Sequence, residues 1–140
     1  MKVNIGKYHK NNAPRTIKVQ IDPWDTVSAD YTLALVILPV LKQYKEKSSG
    51  FSFVDNDDVP NHLYTPDGEE YADEHHELHV TRWDYVIDEM INAFDRIVDD
   101  EWDQDFHNGE VFDAEGWKAE SARISNGLRL FGKYFQGLWT

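Results

Sequence analysis

RISNGLRLFGKYFQGLW, residues 123–139, has the apolar spacing of a helix and yet carries three glycines. Each glycine in a helix interior costs about 1 kcal/mol relative to alanine. Continued upstream, Trp117, Ser121, Ile124, Leu128, Phe131, Phe135 and Leu138 step by four and three residues in turn. That seam, of nearly heptad period, predicts a helix over about Asp113–Leu138. Gly127 and Gly132 flank the seam and read as positions of close packing against the first helix or a second subunit, since a missing side chain lets another backbone approach. Gly137 reads as a C-terminal feature. Arg123, Asn126, Arg129 and Lys133 lie on the same helix. They suit inter-helix ion pairs with Asp84, Asp88 or Glu89, or a pocket in which guanidinium forks hold phosphate or carboxylate.

Working outward, the spacing of Trp83, Val86, Met90, Phe94 and Ile97 predicts a second helix over about His76–Asp99, with Asp84, Asp88, Asn92, Asp95 and Asp99 on its opposite side. A first helix is expected from about Thr26 to Lys47. It is apolar on nearly every side over Leu33–Leu41 and therefore expected to sit centrally, with a kink at Pro39. KVNIGKY (2–8) and TIKVQI (16–21) alternate as two short strands of a hairpin. Residues 48–74 read as irregular, pinned by Phe51, Phe53, Leu63 and Tyr64, with a helical turn near Pro60–Leu63. The fold class is mainly α, three long packed helices with a small N-terminal β-hairpin, read as a single domain over 1–140.

The 140 residues carry a net charge of −12 that is unevenly placed. Residues 1–54 hold eight Lys/Arg against four acids, residues 55–111 two against nineteen, and residues 112–140 four against three. So acidic a middle repels free nucleic acid and excludes direct DNA or RNA binding. It suits either a solvated surface or imitation of nucleic acid toward a basic partner. No cysteine is present, so thiolate metal sites and disulfides are excluded and a reducing compartment is expected. MKVNIGKYHKNN lacks the apolar run of a signal peptide, and the apolar stretch Tyr31–Leu41 is too short to span a bilayer, so no membrane role is expected.

DEHHELH (73–79) sets His75 and His79 one helical turn apart, but it is not H-E-x-x-H, and no metal or cofactor is expected. His107, between acids and a turn-forming Asn-Gly, is a candidate ligand contact. IDPWDTVSAD (21–30) places Trp24 at a helix start with Asp25 or Ser28 as N-cap. An indole beside free backbone N–H groups could stack on a base and receive an anion, whereas a capping box with a buried Trp explains the same residues. No glycine-rich phosphate loop, dinucleotide fingerprint, nucleophile elbow or arranged triad is present, so no catalytic residue is assigned.

IDPWDTVSADYTLALVILPVLKQYKE, VDNDDVPNHL, RWDYVIDEMINAFDRIVDDEWDQDFHNGE and RISNGLRLFGKYFQGLW resemble runs in a family of small acidic proteins from tailed bacteriophages. The likeness covers most of the chain beyond residue 20, although similar proteins carry a longer N-terminal part and an insert before the last helix. The resemblance implies a setting, infection of a bacterium and its cytoplasm. Within it, the first expectation is a non-enzymatic counter-defence protein that sequesters a small anionic, nucleotide-like signalling molecule. Trp24 would stack, Arg123, Arg129 and Lys133 would hold the charge, Asn126 and His107 would fix orientation, and Ser28 would lie beside the stacking residue. A homodimer or higher homo-oligomer is expected from the glycine-bearing helix and the aromatic surplus. The second expectation is an acidic inhibitor that imitates nucleic acid toward a basic host protein, through Asp84–Asp99 and DDEWDQD. The third is a metal-dependent phosphodiesterase using Glu89 and His107. A virion structural role is compatible with the same sequence.

Overall fold

A computed structural model describes residues 1–69 and 71–139. The chain divides into two compact units, Met1–Leu33 and Ala34–Thr140. In the first, β1 (Lys2–Ile5) pairs antiparallel with β2 (Ile17–Gln20). The register sets Val3 opposite Val19 and Ile5 opposite Ile17. Because facing residues of an antiparallel pair share a side, these four make one apolar face and Lys2, Asn4, Lys18 and Gln20 the polar one. After the hairpin, a 3-10 turn at Pro23–Thr26 is held by a capping box. The Trp24 N–H donates to Asp22 Oδ1 at 3.0 Å, and the Asp22 N–H donates to Asp25 Oδ2 at 2.7 Å. Asp22 caps this turn, with Pro23, which lacks an N–H, at its first position; of the two N-cap candidates for the first helix, Ser28 stands directly before it, its carbonyl accepting from the Thr32 N–H at 3.0 Å.

Three helices build the second unit: α1 (Ala29–Lys47, its residues from Ala34 onward), α2 (His76–Val98) and α3 (Ala114–Tyr134). The mainly α class, with three long helices and a small N-terminal hairpin, is what the periodicity predicts. The core gathers Ala34, Leu38 and Leu41 from α1, Trp83, Val86, Ile87, Met90 and Phe94 from α2, Leu130 and Tyr134 from α3, and Val54 and Val59 from the intervening loop. Lys42 pairs with Asp95 and Lys45 with Asp88, so α1 and α2 run in opposite senses. Trp83 meets Tyr134 while Arg96 meets Glu120, so α2 and α3 do too.

Two expectations are corrected. The central helix is α2, not α1: α1 buries one face and leaves Leu35 and Val40 47% and 62% exposed. On α3 the buried line is Gly127, Leu130 and Tyr134, one residue earlier than the seam, so Leu128 and Phe135 remain exposed. The reason is Gly127. A Cβ there would lie 2.4 Å from the Glu89 carbonyl oxygen and 2.6 Å from the Ala93 Cβ, so the bare backbone, not the largest side chains, decides which face meets α2. Gly132 has open space where its Cβ would be. Gly137 receives Ser52, whose hydroxyl donates to its carbonyl at 3.1 Å.

A second small hairpin, β3 (His107–Asn108) with β4 (Val111–Phe112), turns through Gly109 at φ 63°. Among the described residues, no helix is long and apolar enough to cross a membrane.

Candidate functional site

Arg123, Arg129 and Lys133 of α3 stay exposed along their length, and each brings its charged end to a buried carboxylate of its own chain. Arg123 grips Glu89 with its fork: Nη2 donates to Oε1 at 2.7 Å and Nε to Oε2 at 3.0 Å. Glu89 is nearly buried because it sits one turn before Ala93, where α2 meets Gly127. Hydrogen bonds to Glu89 raise the Arg123 pKa further, outweighing the opposing effect of burial.

One turn on, the loop residue Asp58 is the hub of a second cluster. Arg129 Nη2 donates to its Oδ1 at 2.6 Å, and the Tyr134 hydroxyl to its Oδ2 at 2.6 Å; Lys133 pairs with the same Oδ2. Lys133 also reaches Asp55 at 2.6 Å, and the Asp55 N–H donates to the Tyr134 hydroxyl oxygen at 3.0 Å. Asn126 Oδ1 accepts from Arg129 Nε and Nη2 at 3.0 and 2.8 Å, holding the guanidinium toward Asp58.

Electrostatics follow from this closure. Burial pushes the Asp58 carboxyl up, but donors from Lys133, Tyr134 and Arg129 together hold it below its usual range. Burial and then the Asp58 carboxylate push Tyr134 up to about 12. Lys133 is raised too: burial opposes its charge, and Asp55 and Asp58 overcome that.

The structure thus gathers Asn126, Arg129 and Lys133 around Asp58, and sets Arg123 on Glu89. His107 lies apart from that cluster, exposed on β3 with its ring 4.9 Å from Phe112. Trp24 and Ser28 belong to the first unit, where Trp24 is 81% exposed rather than buried. The free N–H groups expected beside Trp24 are occupied by Asp22, and Asp25 takes the N-terminal ammonium at 2.8 Å.

The histidine-rich stretch also divides. His79 is buried among Phe51, Phe53 and His75, with Nε2 3.0 Å from the Ala72 carbonyl oxygen. His75 instead turns to Glu69 at 2.5 Å, and the donor atoms of Glu69, Glu74 and His75 lie within 4.8 Å of one another. Those three could hold a metal; the rings of His75 and His79, one helical turn apart in the sequence, have their centroids 6.4 Å apart.

Two organising residues escape a reading of the sequence. One is Asp58. The other is buried Arg82, which donates to Asn56 Oδ1 at 2.7 Å, to the Leu63 carbonyl at 2.6 Å and to the Val54 carbonyl. Arg82 had a signal: it stands four residues before Val86, on the buried stripe of α2. Asp58, beside Val59 and four residues after Val54 in an acidic run, had none.

Compared with known protein families, curated proteins and solved structures, the chain matches none.

Proposed function

We propose that the chain is a non-enzymatic binding protein whose acidic surface engages a basic, nucleic-acid-binding protein, and that the bacteriophage likeness points to a bacterial host as the partner's source. The observation that carries this reading is the internal neutralisation of α3. With Arg123 on Glu89 and with Arg129 and Lys133 on Asp58, these three cations are neutralised by buried carboxylates of the same chain. Exposed Asp84, Asp88, Asp95, Asp99, Asp100, Glu101 and Asp105 form the outer surface of α2 and the turn that follows it. Asp88, Asp95, Asp99 and Asp105 do carry basic partners in Lys45, Lys42 and Arg96. Those pairs are solvent-exposed and each contributes only about 0–1 kcal/mol, so a more basic partner could take them over.

An anionic nucleotide at Arg129 and Lys133 would compete for them with Asp58, whose side chain is only 1% exposed and already balances their charge. Removing a partner from a buried charge costs about 3–5 kcal/mol. That places ligand capture second.

The test neutralises carboxylates that have no role in the core. A variant carrying Asp84→Asn, Asp100→Asn, Glu101→Gln and Asp103→Asn is compared with the native chain for binding to a DNA-binding protein captured from a bacterial host. The expected result is capture of a partner that duplex DNA competes away, that salt releases, and that the variant fails to hold. Equal capture by the variant, or capture indifferent to 0.5 M salt, would overturn the reading. Heat released by a nucleotide panel in calorimetry would favour the pocket instead.

A further inference from the structure

A second cluster of rings lies outside the core, where the turn after α2 meets the start of α3. Trp102 and Phe106 begin and end the 3-10 turn Trp102–Phe106, Phe112 stands on β4, and Trp117 lies near the start of α3. Trp117 joins them: its indole is stacked with that of Trp102, ring centroids 6.2 Å apart and 14° from parallel, and lies 6.4 Å from Phe112. Trp102 in turn meets Phe106 edge-on at 5.9 Å. None of the four belongs to the core that the three helices share, and Phe112 and Trp117 remain 43% and 39% exposed. The patch is also held in place. The Asp113 N–H donates to the Phe106 carbonyl at 2.8 Å, and the Asp113 side chain caps α3 by accepting from the Gly116 N–H at 2.9 Å.

The charge around these rings is of one sign. Residues 97–117 hold eight Asp/Glu and no Lys or Arg; with Arg96 and Lys118, the cations that bound the run, residues 96–118 carry −6. Arg96 is shared among three carboxylates, Asp99, Asp105 and Glu120. Among the described residues, Asp100, Glu101, Asp103, Glu110 and Glu115 have no basic side chain paired with them. They stand close to the rings in the chain: Asp103 follows Trp102, Glu110 is two residues before Phe112, and Glu115 two before Trp117. Exposed rings among unpaired carboxylates suit a cation that is flat and weakly hydrated. Guanidinium is both: it stacks on an indole face while its fork meets a carboxylate, whereas an ammonium holds its water more tightly.

We propose that this patch is where arginine side chains of the basic partner dock, their guanidinium planes on Trp117 and Phe112 and their N–H groups on the unpaired carboxylates of residues 100–115. The inference rests on the acidic-surface reading above and adds a choice of residue to it. The wider field of α2 attracts any basic chain, and the rings select arginine over lysine. Interface energy concentrates on a few aromatic and arginine contacts, while the surrounding charge mainly steers the encounter.

The native chain is titrated by calorimetry at 50 mM salt with octa-arginine and with octa-lysine, two peptides of equal length and charge. The expected result is binding of the arginine peptide at least about fivefold tighter than that of the lysine peptide. Trp117→Ser and Phe112→Ser, each with unchanged helical circular dichroism, should bring that ratio below about twofold, and Trp117→Phe, which keeps a ring, should retain most of it. Equal binding of the two peptides by the native chain overturns the proposal without recourse to a variant. A ratio that survives both serine substitutions overturns it too. The variant carrying Asp84→Asn, Asp100→Asn, Glu101→Gln and Asp103→Asn separates this inference from the reading beneath it. If the native chain binds both peptides equally and this variant loses both, the acidic surface stands and the arginine patch falls. If the variant binds both as tightly as the native chain does, the acidic surface falls and the patch with it.

Discussion

Gly127 and Gly132 stand five residues apart on one helix, and the same substitution is expected to act on them in opposite directions. At Gly127 a methyl group would strike the Glu89 carbonyl and the Ala93 side chain, at 2.4 and 2.6 Å, and rigid backbone cannot yield as a side-chain tip can. Gly127→Ala should therefore destabilise by about 1–3 kcal/mol, as overpacking does. Gly132→Ala meets nothing and should stabilise by about 0.5–1 kcal/mol through helix propensity. Urea denaturation of the two variants checks both signs. Asp58 is the other residue on which much depends. Asp58→Asn leaves Arg129 and Lys133 facing a neutral amide, and because both cations reach solvent the expected loss is about 2–3 kcal/mol. The alkaline limb tests the same cluster. Tyr134 titrates near 10 when unfolded and is pushed up to about 12 by burial and Asp58, so the folded state retains a proton the unfolded state has lost. Stability contributed by Tyr134 is fully present below pH 10 and declines as pH rises toward 12. Lys133, raised by Asp55 and Asp58, adds to the decline in the same direction above its usual 10.5. Tyr134→Phe should make the alkaline decline shallower in a pH series of thermal melts. Asp58 works in the opposite sense: its lowered pKa gives stability that is present above 3.8 and lost as pH falls below that.

The loop between α1 and α2 behaves as an element although it has little regular structure. Arg82 supplies donors to Val54, Asn56 and Leu63, and Asn56 closes the loop on Thr65 through a side-chain donor to its carbonyl at 3.1 Å and acceptance from its N–H at 3.0 Å. Phe51, Phe53, Leu63 and Tyr64 were the expected anchors. Phe51 and Leu63 do pack, partly buried, against the core, and Phe51 and Phe53 lie against His79, whereas Tyr64 is exposed; the residues taken deepest are Val54, Asp58, Val59 and Thr65. Large side chains need not go deepest in an irregular segment, because carbonyls must find donors wherever the backbone is buried. Arg82→Met should keep the helices and release the loop. The expected outcome is faster proteolytic cleavage within residues 51–69 at unchanged helical circular dichroism. For α3 the heptad seam predicted the helix and roughly its ends, but not which face turns inward.

Taken whole, the molecule is a −12 chain whose charge is divided between a mildly positive first unit and a second unit of −14. Binding of a basic partner should weaken at least about tenfold between 50 and 200 mM salt, read by isothermal calorimetry, since exposed charges are screened over a Debye length of about 10 Å at 0.1 M.

Periodicity alone was enough for the three helices, the hairpin and the class of the fold, because burial of an apolar stripe has the period of the element that carries it. The first helix ends at Lys47 and the second begins at His76, where that pattern stops and starts. The acidic middle and the basic group of α3 were equally plain. What folding added was the destination of the charges. Whether Arg129 meets a ligand or a carboxylate depends on Asp58, 71 residues earlier in the chain. No local spacing encodes a contact over that distance. The same holds for the inward face of α3, chosen at Gly127 by how near another backbone can come.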